Sequence, residues 1–127
     1  MALPSDSAER KKTPIYRGFI VYFPDAIAAA ARLSRIGNDK HNPGQEVHWS
    51  REKSTDQADC LLRHILDAGP DWTNAYTECG EEVLHAVAAF WRAGAMAQIA
   101  IERARKDKED DRQGRLPFCT AATEVMR

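Results

Sequence analysis

Residues 54–85, STDQADCLLRHILDAGPDWTNAYTECGEEVLH, hold the features that decide the fold of this chain. Two pairs of carboxylates stand at helical spacing there, Asp56 with Asp59 and Glu78 with Glu81. Side chains three residues apart share one face of a helix, so each pair can present two oxygen ligands in one direction. Two such helices packed together predict a carboxylate site suited to Mg²⁺ or Mn²⁺. The alternative is two ordinary solvated helix faces.

Length and composition describe one ordinary domain, covering residues 1–127. Hydrophobic residues make up 43% of the chain and charged residues 29%, as in a globular protein. The net charge of −1 gives no bulk attraction to nucleic acid or to an anionic membrane, so neither is an expected partner. Three widely spaced cysteines argue against a disulfide framework. With no signal segment and no run of membrane-spanning length, we expect a cytoplasmic protein, in the host cytoplasm if a phage encodes it.

The first third of the sequence predicts one helix between two irregular segments. Residues 1–14 are polar and basic and are expected to form a flexible arm. Residues 15–23, IYRGFIVYF, are few and rich in β-branched and aromatic types, which predicts an extended segment that packs its rings on a helical bundle. A helix is then predicted from Pro24, a favoured first-turn residue, to a stop at Gly37-Asn38.

Residues 38–53, NDKHNPGQEVHWSREK, follow no helical period. They predict a loop of about fifteen residues, near the length at which a loop in a compact domain usually carries a function or is disordered. Two histidines, a tryptophan, an asparagine and several basic residues favour a functional loop. Trp49 in particular can stack on a purine or can simply anchor its own loop.

The clearest amphipathic helix is predicted from Ser54 to Ala68. Ser54 and Gln57 have the spacing of a capping box, and Gly69 ends the helix. The apolar stripe of this helix has the spacing of a core-facing surface and consists of Ala58, Leu61, Leu62, Ile65 and Leu66. Asp56 lies on the opposite side, which favours a solvated role for this acid.

A longer helix is predicted from a start between Asp71 and Thr77 to about Lys106, with the second carboxylate pair in its first turns. Its many alanines would let another helix pack close. Residues 107–127 predict a charged linker and a tail.

Other chemistries are less well supported. The four histidines and two of the cysteines raise the alternative of a zinc site, but their spacings match no structural zinc pattern. His85 follows Glu81 by four residues and is either a proton-transfer group beside a metal or a polar histidine at a packed helix border. Arg63 can pair with phosphate oxygens or form an intrahelical salt bridge with Asp59 or Asp67.

Several of these residues resemble known motifs. The run ECGE at 78–81, followed by VLHAVAAF, resembles the second metal motif, Glu-x-x-Asp on an apolar helix, of the all-α MazG-like nucleoside triphosphate pyrophosphohydrolases. Asp56 and Asp59 stand where that superfamily has an earlier Glu-x-x-Glu. The chain departs from the pattern in these two aspartates, in Glu81 for an aspartate, and in a longer segment at 69–77.

A closer resemblance covers roughly residues 13–98. This region looks like the phage and bacterial dATP/dGTP diphosphohydrolases, the group that includes the phage MazZ enzymes. The residues that carry this resemblance are Gly37-Asn38, His41-Asn42-Pro43-Gly44, His48-Trp49, Arg51, Ser54, Asp56, Asp59, Arg63-His64, His85 and Trp91-Arg92.

The resemblance implies an all-α, MazG-like helical bundle that forms a homodimer or homotetramer, with the site completed by a second subunit. It implies Mg²⁺-dependent hydrolysis, with Mn²⁺ as an alternative ion, of a purine (deoxy)nucleoside triphosphate (dGTP, GTP or dATP) to the monophosphate and pyrophosphate. The cellular role implied is phage nucleotide-pool metabolism, with supply of dGMP for 2-aminoadenine synthesis as one form of it.

The resemblance also implies a role for each site residue. The metal ligands would be Asp56, Asp59, Glu78 and Glu81. The groups that orient or deprotonate water would be Glu82 and His85. The substrate contacts would be Asn38, Lys40, His41, Trp49, Arg51, Arg63 and His64. The alternative from a different class is a non-catalytic α-helical binding or assembly module that uses the same helices only for oligomerisation.

Overall fold

A computed structural model describes residues 3–114 of the chain, so residues 115–127 of the linker and tail expected at 107–127 lie outside the described residues. The elements in chain order are a helical turn α1 (Ser7–Arg10), a π-helical turn (Tyr16–Ile20), α2 (Pro24–His41), a 3₁₀ turn (Arg51–Lys53), α3 (Gln57–Asp67), the strands β1 (Ala75–Glu78) and β2 (Glu81–Leu84), and α4 (His85–Arg112). The described fold is mostly helical, with one two-stranded antiparallel sheet. Within the same range, no helix has the length and apolar character needed to cross a membrane.

α4 is the element on which the other helices pack, since both α3 and α2 contact it. Ala88 and Ala95, seven residues apart on its inner face, are buried, and their small side chains allow close approach. Ile36 of α2 is the largest fully buried side chain of the described chain, and Val83 of β2 is also buried. α4 runs to Arg112, so the first part of the charged run expected to be a linker continues the helix.

α3 turns its less apolar face toward the rest of the molecule. Gln57 and Ala68 are buried and His64 is half-buried, and all three share one side of the helix. The apolar stripe lies on another side, where Leu66 is 80% exposed and Ile65 is 52% exposed. The expectation that this stripe packs into the core is therefore wrong for the single chain.

Residues 15–23 form a π-helical turn and its flanks, not the extended segment that was predicted. Without a partner strand, an extended segment leaves its backbone groups unpaired, whereas the helical turn pairs them locally, as in the bond from Gly18 N–H to Pro14 O. The expected ring contact with the bundle is present, because Phe19 stacks on Phe90 of α4 with ring centroids 6.3 Å apart.

α2 begins at Pro24 as predicted, but it continues through Gly37-Asn38 and ends at His41. Asn38 is buried and donates its side-chain N–H to the carbonyl of Gln45 at 2.9 Å. Such tertiary contacts outweigh the cost of about 1 kcal/mol that a glycine imposes inside a helix. The extra turn places His41 on the helix and shortens the predicted loop.

The largest difference lies at residues 75–84, where a β-hairpin replaces the predicted first turns of the last helix. Its two turn residues, Cys79 and Gly80, have φ values of 51° and 79°. Two positive φ angles in succession are the type I′ geometry that matches the twist of the flanking strands. Glu78 and Glu81 lie opposite each other across the hairpin, so the prediction that they are helical neighbours is wrong.

α3 begins at Gln57 with Asp56 as its N-cap residue, so the predicted capping box at Ser54 is also wrong. The Ser54 hydroxyl instead accepts a hydrogen bond from Arg92 of α4 at 2.8 Å. The end of the helix agrees with the prediction, because Gly69 has a φ of 80° directly after the C-cap.

Candidate functional site

A cavity of about 440 Å³ lies between α2, α3, β1, α4 and the loop after α2. Its volume falls within the range of small-molecule sites, roughly 300–1,000 Å³. Six residues that the sequence singled out line it: Asn38, Lys40, His41, Trp49, His64 and Glu78. The cavity therefore joins most of the predicted substrate contacts with one of the predicted metal ligands.

Side-chain hydrogen bonds hold the loop 42–50 at the cavity. The ammonium of Lys53 donates to His41 O at 3.0 Å and to Asn42 Oδ1 at 2.8 Å. Asn42 in turn donates its Nδ2–H to Ser50 Oγ at 3.0 Å. Both ends of the loop are thus tied to one another, which fixes the loop as a wall of the cavity.

Trp49 is held on that wall by aromatic and cationic neighbours. The guanidinium of Arg51 lies 4.2 Å from the centre of its ring, and the Trp91 ring meets it edge to face at 5.9 Å. Arg51 is itself bonded to Glu102 of α4 at 2.6 Å. Trp91 donates its indole N–H to Ser34 Oγ at 2.8 Å. The predicted substrate contact Arg51 lies over the Trp49 ring and is not among the residues that line the cavity.

Two buried polar atoms of cavity-lining residues, Asn38 Oδ1 and Trp49 Nε1, have no hydrogen-bond partner among the described residues. The amide of Asn38 is oriented by its bond to Gln45, which makes Oδ1 an acceptor. The indole nitrogen of Trp49 is a donor. Leaving a buried donor or acceptor unsatisfied costs roughly 1–3 kcal/mol, so both atoms favour a polar partner.

The charges of the cavity are mainly positive. Among the described lining residues, Lys40, Lys53 and Arg92 are cations and Glu78 is the one carboxylate. Glu78 bonds to Lys40 at 2.6 Å, and this hydrogen bond raises the pKa of the Lys40 ammonium. The described side-chain bonds of Lys53 and Arg92 go to neutral oxygens. A chain with a net charge of −1 thus has a cavity that favours an anion.

A pair of histidines lies at the inner end of α3. His64 Nδ1 and His85 Nδ1 are 2.9 Å apart, and the ring of Tyr76 lies against both imidazoles at 5.4 and 4.8 Å. Burial lowers the pKa of His64, and the electrostatic effects of the neighbouring His85 ring and of the Arg92 guanidinium lower it further. His64 is therefore held toward its neutral form.

The turn after α3 sets the position of this pair. Asn74 donates to the carbonyls of Asp67 and Ala68, at 3.1 Å each, and its own carbonyl accepts from the backbone N–H of His85 at 3.0 Å. One residue thus joins the end of α3 to the start of α4. The contact requires glycine at position 69, because an added Cβ there would lie 2.5 Å from Asn74 Nδ2.

The other predicted metal ligands lie outside the cavity. Glu81 bonds to Arg35 of α2 at 2.7 Å. Asp56 lies 3.5 Å from Arg63, which is exposed on α3 and does not reach the cavity as a substrate contact. Asp59 is exposed on the same helix.

The predicted catalytic pair is also divided. Glu82 is exposed on β2, across the hairpin from Thr77. His85 does not line the cavity itself but contacts His64, which does.

The donor set of the described residues does not fit a preformed metal centre. Within residues 3–114, no group of three or more histidine, cysteine, aspartate or glutamate side chains could hold a metal ion. Glu78 and Glu81 share one face of the hairpin, but each is bonded to a cation of α2, Lys40 or Arg35. The two-helix carboxylate box is thus not formed within one chain.

Sequence reasoning assigned no role to several lining residues: Ser34, Lys53, Ser54, Tyr76, Trp91 and Arg92. A signal was present for Arg92, which interrupts an alanine-rich, nearly apolar run and therefore needed a polar partner inside the fold. Tyr76 gave no comparable signal, because its position depends on the unpredicted hairpin.

Comparisons with protein-family models, with curated proteins and with solved structures find no match to this chain. The geometry of the cavity is therefore the main support for a function.

Proposed function

We propose that the cavity binds a purine (deoxy)nucleoside triphosphate and that the protein hydrolyses it to the monophosphate and pyrophosphate. The observation that carries the proposal is the cavity wall, where basic side chains, tryptophan rings and a buried amide meet. A nucleotide needs these three kinds of contact, for its phosphates, its base plane and its base edge.

The basic groups support the phosphate part of the ligand. Lys40, Lys53 and Arg92 line the same cavity as three histidines, with one carboxylate among the described lining residues. Arginine and lysine are the usual partners of phosphate oxygens in proteins, arginine through two parallel bonds and lysine as a compact charge.

The aromatic wall supports the base. Stacking of a base on an aromatic side chain contributes about 1–3 kcal/mol, and the Trp49 ring is held in place by Arg51 and Trp91. Asn38 Oδ1 and Trp49 Nε1 are an acceptor and a donor whose described surroundings give them no partner. A donor on the edge of a purine matches the acceptor Asn38 Oδ1. The N–H of Trp49 lies in the plane of its own ring, so it does not reach the edge of a base stacked on that ring. The choice of dGTP, GTP or dATP follows the family resemblance alone.

The proposal includes Mg²⁺ only as an expected requirement of the hydrolysis, which the assay measures. Mg²⁺ is commonly held by one or two protein carboxylates together with substrate phosphates, and Glu78 is the described carboxylate at the cavity. Since the described residues do not form a metal centre, we assign no step of the reaction to the ion. Dependence on Mg²⁺, or on Mn²⁺ in its place, is an expected outcome of the assay.

The exposed stripe of α3 supports a homodimer or homotetramer. Leu62, Ile65 and Leu66 are between 52% and 80% exposed on one side of this helix, which forms a continuous apolar surface. Exposed apolar patches of this kind often mark protein–protein contacts. A location in the cytoplasm and a role in phage nucleotide metabolism complete the proposal.

The same stripe favours the second candidate, a non-catalytic helical assembly module. In that case the helices associate through α3 and the cavity binds no nucleotide.

A substrate screen distinguishes the two. The purified protein is incubated with each deoxynucleoside and ribonucleoside triphosphate, with and without Mg²⁺, and pyrophosphate, phosphate and nucleoside monophosphate are quantified. We expect stoichiometric pyrophosphate and monophosphate from a purine nucleotide. Release of single phosphates would indicate a different phosphohydrolase, and no release from any nucleotide would favour the assembly module.

A further inference from the structure

The contact between His64 and His85 constrains where their protons lie. Their Nδ1 atoms are 2.9 Å apart, a hydrogen-bond distance. A bond between two ring nitrogens needs a proton on one and a lone pair on the other. The pair therefore contains one Nδ1–H imidazole, with a bare Nε2, and one imidazole protonated on Nε2.

His64 is the member that faces a ligand. It lines the cavity, while its Nδ1 is directed to His85, so Nε2 is the nitrogen that a cavity ligand can use. If His64 donates its Nδ1–H to His85, the bare Nε2 is a base. When Nε2 accepts a proton, the Nδ1–H to Nδ1 bond remains and the charge is shared across the pair. A second proton on the pair would break that bond.

Charged residues on α3 and α4 affect the protonation of His64. Arg63 and Asp67 are charged neighbours of His64 on its own helix, with opposite effects, and Arg92 on α4 adds a positive charge. Burial, His85, Arg92 and Arg63 favour the neutral form of His64, whereas Asp67 favours the charged form. A neutral imidazole is the form required of a proton acceptor.

Two residues of β1, Tyr76 and Glu78, line the same cavity as His64. Tyr76 packs on both rings, and burial and the charge of Glu78 raise the pKa of its phenol, which keeps it neutral. Lys40, which is bonded to Glu78, and Arg92 also act on the Tyr76 phenol, and their positive charges oppose this rise in its pKa.

We propose that His64 is the proton acceptor at the wall of the cavity and that His85 is a positioning residue that holds His64 in the tautomer with a bare Nε2. As a step in catalysis this rests on the proposed nucleotide hydrolysis. His64 Nε2 takes a proton from water, whose oxygen bonds to a phosphorus of the bound triphosphate. The bond from that phosphorus to the bridging oxygen breaks, and its electron pair goes to the leaving group. The proton stays on His64 Nε2, and the positive charge is shared with His85 through the Nδ1–H to Nδ1 bond.

The tautomers test the proposal without any nucleotide. Long-range ¹H–¹⁵N spectra of the full ¹⁵N-labelled chain at about pH 8, above the ordinary histidine pKa, distinguish the two tautomers of each ring. We expect Nδ1–H with a bare Nε2 for His64 and the opposite tautomer for His85. Nε2–H on His64 would overturn the proposal.

Kinetics give the second test. We expect His64→Gln to lower kcat for pyrophosphate release about 100-fold, the lower end of the effect of a general base. We expect His85→Leu to lower kcat about tenfold with KM unchanged. His85→Gln, whose Oε1 can accept the Nδ1–H of His64, should recover most of the loss.

The outcomes separate this inference from the proposed function. If the wild-type protein releases pyrophosphate and the His64→Gln variant does so with the same kcat, the role proposed for His64 is wrong. Wild-type protein that releases no pyrophosphate, but shows the expected tautomers, would contradict the hydrolysis and uphold the proton acceptor at the cavity. Equal losses in His85→Leu and His85→Gln would contradict tautomer control by His85.

Discussion

Two sides of α3 differ in a way that its sequence pattern does not suggest. The side that packs against α4 carries a buried glutamine and a half-buried histidine, while the side with the most leucine and isoleucine is exposed. In a single chain this arrangement places polar groups inside and apolar groups outside. Both placements follow if the inward side forms the wall of a binding cavity and the outward side forms a contact between subunits.

The largest expected effect concerns the outward side. Leu66→Glu puts a charge on the most exposed residue of the stripe, so we expect the assembled protein to dissociate to monomers, as measured by light scattering after size-exclusion chromatography. Asp67→Lys, which changes the charge of the neighbouring residue off the stripe, should leave the assembly unchanged. A wild-type protein that is monomeric at every concentration would refute the role assigned to this side.

Glu78→Gln and Asp59→Asn compare an acid at the cavity with an acid on the solvated part of α3. Glu78→Gln removes the negative charge that holds Lys40 at 2.6 Å, which should let that cation shift and lower kcat/KM for pyrophosphate release about 100-fold. Asp59 is exposed and outside the cavity, so its variant should stay within about twofold of wild type, the range of most surface changes. Equal large losses would instead support the four-carboxylate metal site that the resemblance implies.

Two tryptophans make the next comparison. Trp49 lines the cavity, whereas Trp72 is 72% exposed outside it. Trp49→Ala removes the aromatic surface for the base and should raise KM about tenfold, which corresponds to a stacking loss of about 1.4 kcal/mol. Trp72→Ala should leave KM unchanged. Steady-state kinetics on both variants would show whether the loop is a nucleotide contact or only anchors itself.

Arg92→Met tests how much the hydrogen bonds on the inward side of α3 contribute to the free energy of unfolding. Arg92 donates to Ser54 Oγ at 2.8 Å and to Gln57 Oε1 at 2.9 Å, and Gln57 is buried. Leaving that amide oxygen unsatisfied should lower the free energy of unfolding by about 1–3 kcal/mol in urea denaturation. Arg63→Met, on the exposed part of α3, should change it by less than about 0.5 kcal/mol. Similar values for both would show that the inward bonds of Arg92 contribute little.

The smallest effect is the pH dependence of stability. The pKa of His64 is lower in the folded chain than its ordinary value of about 6.5, so the unfolded chain binds more protons just below that pH. Stability should therefore fall as the pH drops below about 6.5, and His64→Gln should reduce this fall. Urea midpoints at about pH 7.5 and pH 5.5 measure it, on either side of that pKa. The same slope in both proteins would contradict the lowered pKa.

The sequence predicted those features whose signals are local. Pro24 opens α2 and Gly69 closes α3, because a fixed φ and a positive φ are properties of single residues. Five of the seven residues assigned to the substrate by resemblance also line one cavity.

What the sequence did not reveal depends on contacts between distant residues. The acids of ECGE have helical spacing, but two positive φ angles at Cys79-Gly80 make a hairpin, and cysteine is not a usual residue for the first turn position. Gly37 stays inside α2 at a cost of about 1 kcal/mol, and the bond of the buried Asn38 to Gln45 helps to offset it. The stripe of α3 identified an apolar surface correctly, but periodicity cannot tell a core within one chain from a contact between chains.

Binding of a non-hydrolysable analogue, dGTP with a methylene bridge between its α- and β-phosphates, tests the central claim most directly. We expect its addition to shift the NMR signals of the Trp49 indole and of the His41 and His64 rings, all of which line the cavity, and to leave the exposed Trp72 indole unchanged. No shift at millimolar analogue, or shifts confined to residues outside the cavity, would contradict the assignment of this cavity as a nucleotide site.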